Sequence, residues 1–258
     1  MFSRYVALGD SFTEGVGDPD HARPNGLRGW ADRVAEVLSG HSSDFGYANL
    51  AIRGRKLLPV IEEQLEPALA LEPDLVTSYA GANDIMRPKV DIDALAAAYD
   101  AAVGRLAATG ATVVLFTAFD PGGSAIYRPL RGRFALYTEA VREIADRHGA
   151  RVVDFWRMRE LRDFGYWDTD RMHLGPPGHQ RMARAVLDAL EVPHDLEALP
   201  PTLRPELTGR DLRAKNVEWA RTHAAPWVHR RLTGRSSGDG LSPRRPGLAP
   251  IEPWPRVG

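Results

Sequence analysis

Short apolar segments alternate with longer segments of helical periodicity over residues 1–192. The short segments are continuous apolar runs bounded by polar or glycine-containing turns, which is typical of strands buried on both faces. Five such strands are predicted, over residues 6–8, 45–50, 74–79, 112–116 and 151–155. Between and after them the spacing predicts five helices, over residues 30–38, 57–71, from Asp91 or Asp93 to Gly110, 134–148, and from Pro176 to Leu190.

This strict alternation of strand and helix is typical of a three-layer α/β domain with a parallel sheet. We expect the domain to occupy residues 1–192. One predicted helix, residues 57–71, contains Pro67, which should kink or end it because proline removes a helical hydrogen bond.

Residues 193–258 form a predicted C-terminal extension of different character. It begins with an irregular, proline-rich segment at 193–210, and a helix carrying Trp219 and interrupted at Pro226 is expected over 211–231. The tail, 234–258, has five Gly and five Pro among 25 residues, so we expect it to be disordered or draped over the body. Residues 204–245 hold ten Lys/Arg and four Asp/Glu, for which a solvated face is favoured over a phosphate-binding patch.

The overall composition excludes several classes of protein. A net charge of -1 gives no indication of a nucleic-acid partner or an anionic membrane surface. The absence of cysteine excludes disulfides, thiolate metal sites and a cysteine nucleophile. No apolar run is long enough to span a bilayer, and the residues before the first strand show no signal-peptide pattern. We therefore expect a cytoplasmic protein, a removed signal being the alternative; the sequence leaves the oligomeric state open.

The candidate chemistry lies at the carboxyl ends of the predicted strands, where parallel sheets bind their ligands. Ser11 follows the first strand, Gly54 the second, Asn83 the third, and Asp170 and His173 lie in the loop after the fifth. Each has a structural alternative. Serine caps helices, glycine supplies a positive φ, asparagine forms turns, and an Asp-x-x-His spacing can be a loop hydrogen bond. Together, however, they are the groups that acyl transfer requires.

The same blocks resemble the SGNH hydrolases, also called GDSL-type esterases and lipases. The resemblance covers about residues 4–190 and comprises Gly9-Asp10-Ser11, the Gly54 turn, Gly81-Ala82-Asn83-Asp84 and Asp170-Arg171-Met172-His173. Phe12 stands where the GDSL pattern has leucine, a departure that leaves the chemistry untouched. The family implies a flavodoxin-like domain with a five-stranded parallel sheet in the order 2-1-3-4-5.

The resemblance also implies roles for the site residues. Ser11 would be the nucleophile, His173 its base and Asp170 the group that orients the imidazole. The backbone N–H groups of Ser11 and Gly54 and the side-chain amide of Asn83 would form the oxyanion hole. No cofactor or metal is implied.

Four other polar residues near these blocks need a role. His179 is a rival base, for which packing or capping is favoured, and Asp168 is a rival orienter, expected to face solvent. Asp10 and Asp84 are expected to anchor the active-site loops by hydrogen bonds.

The leading hypothesis is a metal-independent serine esterase for small or medium acyl esters, including acetyl groups on sugars. Its substrate would be set by loops at 18–28, 84–91 and 119–131, with the tail as a further candidate. Six aromatic or apolar residues are candidates for lining the pocket: Phe119, Ile126, Tyr127, Phe164, Tyr166 and Trp167. Two alternatives are a non-catalytic flavodoxin-like ligand-binding module and an adaptor that acts through the basic C-terminal segment.

Overall fold

The computed structural model describes residues 1–87, 89–124, 126–205 and 207–251 of the chain. The strands are β1 (Arg4–Gly9), β2 (Gly46–Asn49), β3 (Leu75–Tyr79), β4 (Thr112–Phe116), β5 (Arg151–Val153) and β6 (Arg245–Ala249). The α-helices are α1 (Ser11–Glu14), α2 (Gly29–Ser39), α3 (Leu57–Val60), α4 (Glu66–Ala70), α5 (Ala82–Ile85), α6 (Ile92–Ala107), α7 (Arg131–His148), α8 (Pro176–Ala189), α9 (Gly209–Trp219) and α10 (Ala225–Leu232). Short 3-10 turns lie at Pro24–Gly26, Pro121–Gly123, Arg128–Leu130, Phe155–Arg157, Arg159–Arg162 and Phe164–Tyr166.

The strands form one mostly parallel sheet with the order β5-β4-β3-β1-β2-β6. Strands β1 to β5 are parallel and lie side by side in the order 2-1-3-4-5. Their carboxyl ends therefore meet at one edge of the sheet, as expected. The prediction of five strands was wrong, because β6 is added antiparallel beside β2 and changes both the count and the order at that edge.

Helices cover both faces of the sheet. Along β1, Tyr5 and Ala7 join one buried apolar cluster whereas Val6 and Leu8 join the other, as the two-residue period of a strand requires. Helices α2 and α8 pack in the first cluster, and the second contains α3, α4, α6 and α7. The three-layer α/β architecture is therefore confirmed.

The two prolines expected to kink, end or interrupt helices each follow a wider helical turn. One π-helical turn (Ile61–Leu65) joins α3 to α4 just before Pro67, and another (Ala220–Ala224) joins α9 to α10 just before Pro226. A π turn removes the need for the hydrogen bond that proline cannot make. The α-helical hydrogen bonding of the C-terminal helix is thus interrupted just before Pro226, while the helical path continues from Gly209 to Leu232.

The tail packs on the body through its backbone and one buried arginine. Strand β6 pairs with β2 by main-chain hydrogen bonds, which do not depend on apolar side chains. Arg244 donates to both carboxylate oxygens of Asp32 and to the carbonyls of Leu27 and Arg28. Residues 234–251 thus lie draped over the body, and the rest of the predicted tail, 252–258, lies outside the described residues. The division into a domain at 1–192 and an extension stays a prediction.

Across these ranges, no helix is both long enough and apolar enough to cross a membrane.

The Arg244–Asp32 pair allows a test of how the tail is attached to the body, because both side chains are wholly buried. Removing the guanidinium would leave the Asp32 carboxylate buried with its main counter-ion gone. We expect Arg244→Leu to lower the free energy of unfolding by about 3 kcal/mol, measured by urea denaturation. The exposed Arg235, replaced in the same way, is the control, and equal stability of the two variants would contradict this account of the tail.

Candidate active site

Ser11 is held at the sheet edge by the turn that ends β1. Gly9 has φ +148°, and a Cβ there would lie 2.4 Å from the Tyr79 carbonyl oxygen, so only glycine fits. The Gln64 side chain binds both backbone polar groups of Gly9, accepting from the N–H at 2.8 Å and donating to the carbonyl at 2.9 Å. Asp10 caps α1 by accepting the Phe12 N–H, which places Ser11 in the first turn.

Ser11, His173 and Asp170 form a continuous hydrogen-bonded chain. Nε2 of His173 lies 3.0 Å from the Ser11 Oγ, and Nδ1 lies 2.5 Å from Oδ2 of Asp170. Burial opposes ionisation of the Asp170 carboxyl, but hydrogen bonds from the His173 ring, His173 N–H and Met172 N–H hold its pKa below the ordinary value. The Asp170 carboxylate therefore lies next to Nδ1 of His173, the imidazole nitrogen that faces away from Ser11.

The loop that carries Asp170 and His173 is closed on itself. Arg171 adopts a left-handed conformation with φ 59°, and the Asp168 N–H donates to the His173 carbonyl at 2.8 Å. Gly17 lies directly behind this loop, where a Cβ would be 2.2 Å from the Leu174 carbonyl oxygen. The close approach of two backbones therefore brings the Ser11 and His173 segments together.

The rival residues have other partners. His179 is buried; its Nδ1 accepts the Trp30 N–H and its Nε2 donates to the Val16 carbonyl, so both ring nitrogens are occupied. Burial lowers the pKa of His179 to about 4, which keeps the ring neutral. The Asp168 carboxylate is half-buried and accepts from the Thr169 N–H. His179 thus packs as expected, and neither residue takes part in the Ser11–His173–Asp170 chain.

Two backbone N–H groups near Ser11 are available to a ligand. Gly54 has φ +75° and lines the same pocket as Ser11. No acceptor for the N–H of Ser11 or of Gly54 is found among the residues that the structure describes. Glu14 fixes the Gly54 turn, because its buried carboxylate accepts the Arg53 N–H at 2.7 Å and pairs with the Arg53 guanidinium.

Asn83 also lines the pocket, but its amide is already engaged. Nδ2 donates to Oδ2 of Asp10 at 2.9 Å and to the Arg55 carbonyl at 3.0 Å. Burial raises the pKa of the Asp10 carboxyl to about 7, against the effect of the Phe12 N–H. Asp84 accepts the Leu57 N–H, and burial raises its pKa above the ordinary value. Asp10 and Asp84 therefore anchor loops, as predicted, and Asn83 could donate to a ligand only by sharing or releasing a hydrogen.

The pocket over Ser11 is a cleft that is open to solvent. Four of the six candidate lining residues are found in its wall: Phe119, Tyr127, Phe164 and Trp167. Ile126 and Tyr166 are not, since Ile126 is exposed and Tyr166 packs against the core. Loop 119–131 supplies several residues of the wall, whereas loop 84–91 supplies Met86. Loop 18–28 supplies none of the described residues of the wall.

The C-terminal extension supplies part of the same wall, through Trp227, Arg230 and Ser237. Ser237 lies in the tail, which was a candidate for setting the substrate, whereas Trp227, Arg230, Glu14 and Gln64 were missed as site residues. Their patterns are those of an ordinary polar helix face or loop, so no local signal distinguishes them. In the described part of the chain, no three His, Asp or Glu side chains are grouped as a metal site.

Comparison with known proteins identifies the family. The sequence profile of the GDSL-like Lipase/Acylhydrolase family matches residues 7–181. The chain belongs to this family. Membership in the GDSL-like family makes the protein a carboxylic ester hydrolase and sets aside the non-catalytic module. A search of curated proteins found no match.

Solved structures of similar fold include several esterases. An α/β hydrolase from the metagenome of Lake Arreo, Spain, is 23% identical with a TM-score of 0.62, over 73% of this chain and 95% of that one. Axe2, an acetyl xylan esterase from Geobacillus stearothermophilus, is 22% identical with a TM-score of 0.60, over 73% and 94%. The esterase EstA from Pseudoalteromonas sp. is 18% identical with a TM-score of 0.55, over 72% and 96%. At these identities the likeness shows a shared fold.

The buried neutral ring of His179 predicts a pH-dependent contribution to stability. The unfolded chain protonates this histidine near its ordinary pKa of about 6.5, whereas the folded protein does so near 4. At about pH 7.5 we expect His179→Gln to be less stable than the wild type by about 2 kcal/mol, because two buried hydrogen bonds are lost. As pH falls from about 6.5 to about 4, the wild type should lose up to about 3 kcal/mol of stability relative to the variant, so the difference should vanish and then reverse in sign.

Urea unfolding of both proteins at several pH values measures this difference. Asp10 also titrates near this pH range, but it is present in both proteins, so its contribution cancels in the difference. The exposed His41, replaced with Gln, is the control. A stability difference for His179→Gln that stays constant over this pH range would contradict the buried neutral assignment.

Proposed function

We propose that the enzyme hydrolyses small or medium acyl esters through an acyl-enzyme on Ser11. The observation that carries this proposal is the hydrogen-bonded chain from Ser11 Oγ through His173 to Asp170. A serine hydroxyl is a weak nucleophile until a neighbouring base removes its proton, and Nε2 of His173 lies within reach to do so.

In the proposed reaction, Ser11 Oγ attacks the ester carbonyl carbon while His173 takes the hydroxyl proton. Asp170 stabilises the resulting imidazolium. The tetrahedral intermediate then collapses, and His173 returns the proton to the departing alkoxide, which leaves as the alcohol. Water repeats the sequence on the acyl-enzyme, with His173 again as base, and releases the carboxylic acid and free Ser11.

The negative oxygen of the intermediate would be bound by the N–H groups of Ser11 and Gly54. Asn83 would add its amide by sharing a hydrogen that now goes to Asp10 or to the Arg55 carbonyl. Gln64 and Glu14 would act as positioning residues, since they fix the peptides before Ser11 and at Gly54.

The proposed substrates include acetyl esters, among them acetyl groups on sugars. The aromatic walls favour an apolar acyl or aryl group. Axe2, which has the same fold, is an acetyl xylan esterase. The basic C-terminal segment lies partly against the pocket, which favours a role in substrate binding over a role as an adaptor.

A covalent probe tests the nucleophile. A fluorophosphonate should label the protein once, at Ser11, as mapped by mass spectrometry of proteolytic peptides. Ser11→Ala should remove both the label and the turnover of 4-nitrophenyl acetate, because no other hydroxyl lies in the His173 hydrogen bond. Ser124→Ala, a second serine in the pocket wall, is the matched control and should keep both. Labelling of another serine, or full turnover by Ser11→Ala, would disprove the assignment.

The side-chain amide of Asn83 provides a separate test of the oxyanion hole. An ester oxygen is a weak acceptor in the bound substrate and an anion in the intermediate, so a donor there matters mainly in the transition state. We expect Asn83→Ala to lower kcat by about a hundred- to a thousand-fold with little change in KM. Asn83→Asp should be at least as poor, because a carboxylate repels the anion. A raised KM with kcat preserved would show a binding or turn role instead, and thermal unfolding checks that the variants are folded.

A further inference from the structure

The helical part of the C-terminal extension is fastened to the loop that carries Asp170 and His173. The indole Nε1 of Trp219 donates to the Asp170 carbonyl at 2.8 Å. Arg171 donates to Oδ1 of Asn216 at 2.9 Å, and its guanidinium stacks over the Trp219 ring at 5.1 Å. Both contacts join α9 to residues within three positions of His173, so the helix is held at the site.

The turn that follows α10 rests on the Gly54 turn. A Cβ on Gly54 would lie 2.3 Å from the Ser236 Oγ, and one on Gly238 would lie 2.2 Å from the Arg53 carbonyl oxygen. Asp239 lies 3.6 Å from the Arg55 guanidinium. The extension therefore contacts the site from two sides, and the segment between these contacts, α10, supplies Trp227 and Arg230 to the pocket wall.

The ionisable groups of this wall are mainly cationic. It contains three arginines, Arg162, Arg171 and Arg230, against two carboxylates. The two carboxylates, Asp10 and Asp120, give little counter-charge to a ligand. Asp10 is 3% exposed. The Asp120 side chain is 4% exposed and is surrounded by the guanidinium groups of Arg131, Arg159 and Arg162.

Arg230 is the arginine of this wall that is available to a ligand. Arg162 pairs with Asp120, and Arg171 is held by Asn216 and Trp219. Arg230 is half-buried, and within the described ranges no carboxylate lies within ion-pair distance of its guanidinium. A half-buried guanidinium without a counter-ion, beside an aromatic wall, is a favourable site for a carboxylate or phosphate.

We propose that the enzyme acts on esters that carry an anionic group, a carboxylate or phosphate, and that Arg230 binds this group while Ser11 attacks the ester carbonyl. This inference rests on the proposed esterase mechanism. Arg171 and Arg162 would add a favourable field, because they face the same cleft and little negative charge is exposed there. The extension would then determine which esters are accepted.

Two matched pairs of esters test this specificity. One pair carries the anion on the alcohol side of the ester and the other carries it on the acyl side. For an anion on the alcohol side, 4-acetoxybenzoate is compared with the neutral 4-acetoxybenzamide. For an anion on the acyl side, the mono-4-nitrophenyl ester of adipate is compared with 4-nitrophenyl hexanoate. In one of the two pairs we expect wild-type kcat/KM to favour the anionic member by about tenfold or more, and added salt should reduce this preference.

Arg230→Gln should reduce that preference ratio by about tenfold, and Arg230→Lys should keep part of it, because charge remains while the planar guanidinium is lost. Arg221→Gln is the matched control. Arg221 lies in the same helical path, is exposed and is not in the pocket wall, so its variant should keep the wild-type ratio.

Equal kcat/KM for both members of both pairs, or an unchanged ratio in Arg230→Gln, would overturn the inference. Ser11-dependent hydrolysis of the neutral esters in that case would leave the esterase proposal standing. If none of the four esters is hydrolysed, both proposals are overturned.

Discussion

The hydrogen bond between Ser11 Oγ and His173 Nε2 joins two segments that are 162 residues apart in the chain, and the rest of the site depends on it. Its geometry is set by backbone packing. The parallel sheet brings the ends of β1 and β5 to one edge, and Gly17 allows the loop after Ser11 to touch the backbone at Leu174. Buried His179 then joins α8 to Val16 and to the start of α2. A bulky residue at Gly17 or a charged His179 would move the base relative to the serine.

The C-terminal extension changes the picture of the site from an open sheet edge to a walled pocket. It is attached at one end through β6 and the buried Arg244–Asp32 pair, and near the site through Trp219 and the turn at Ser236. Folding stability and substrate selection are thus linked in one segment. In our proposals the body supplies the chemistry, whereas the extension supplies Arg230, the guanidinium that binds the anionic group of a substrate.

Sequence patterns predicted the features that depend on local spacing. The first five strands, the helices between them and the loops carrying Ser11, Gly54, Asn83, Asp170 and His173 all follow from apolar periodicity and strand ends. Features that depend on distant backbone contacts were not predicted. Strand β6 is a partly exposed edge strand without an apolar run, and the π turns before Pro67 and Pro226 leave no sequence signature. Glu14 and Gln64 bind peptides that are remote in sequence, so only the folded chain reveals what they position. The engagement of Asn83 by Asp10 was equally hidden.

The most direct test of the proposed mechanism is the crystal structure of the protein after reaction with a small alkyl fluorophosphonate. We predict phosphorus bonded to Ser11 Oγ, with the phosphonyl oxygen about 3 Å from the backbone nitrogens of Ser11 and Gly54 and from Nδ2 of Asn83. Asn83 should have loosened its hydrogen bond to Asp10 or to the Arg55 carbonyl to make that contact. Phosphorus on another residue, or a phosphonyl oxygen turned away from these three donors, would contradict the account.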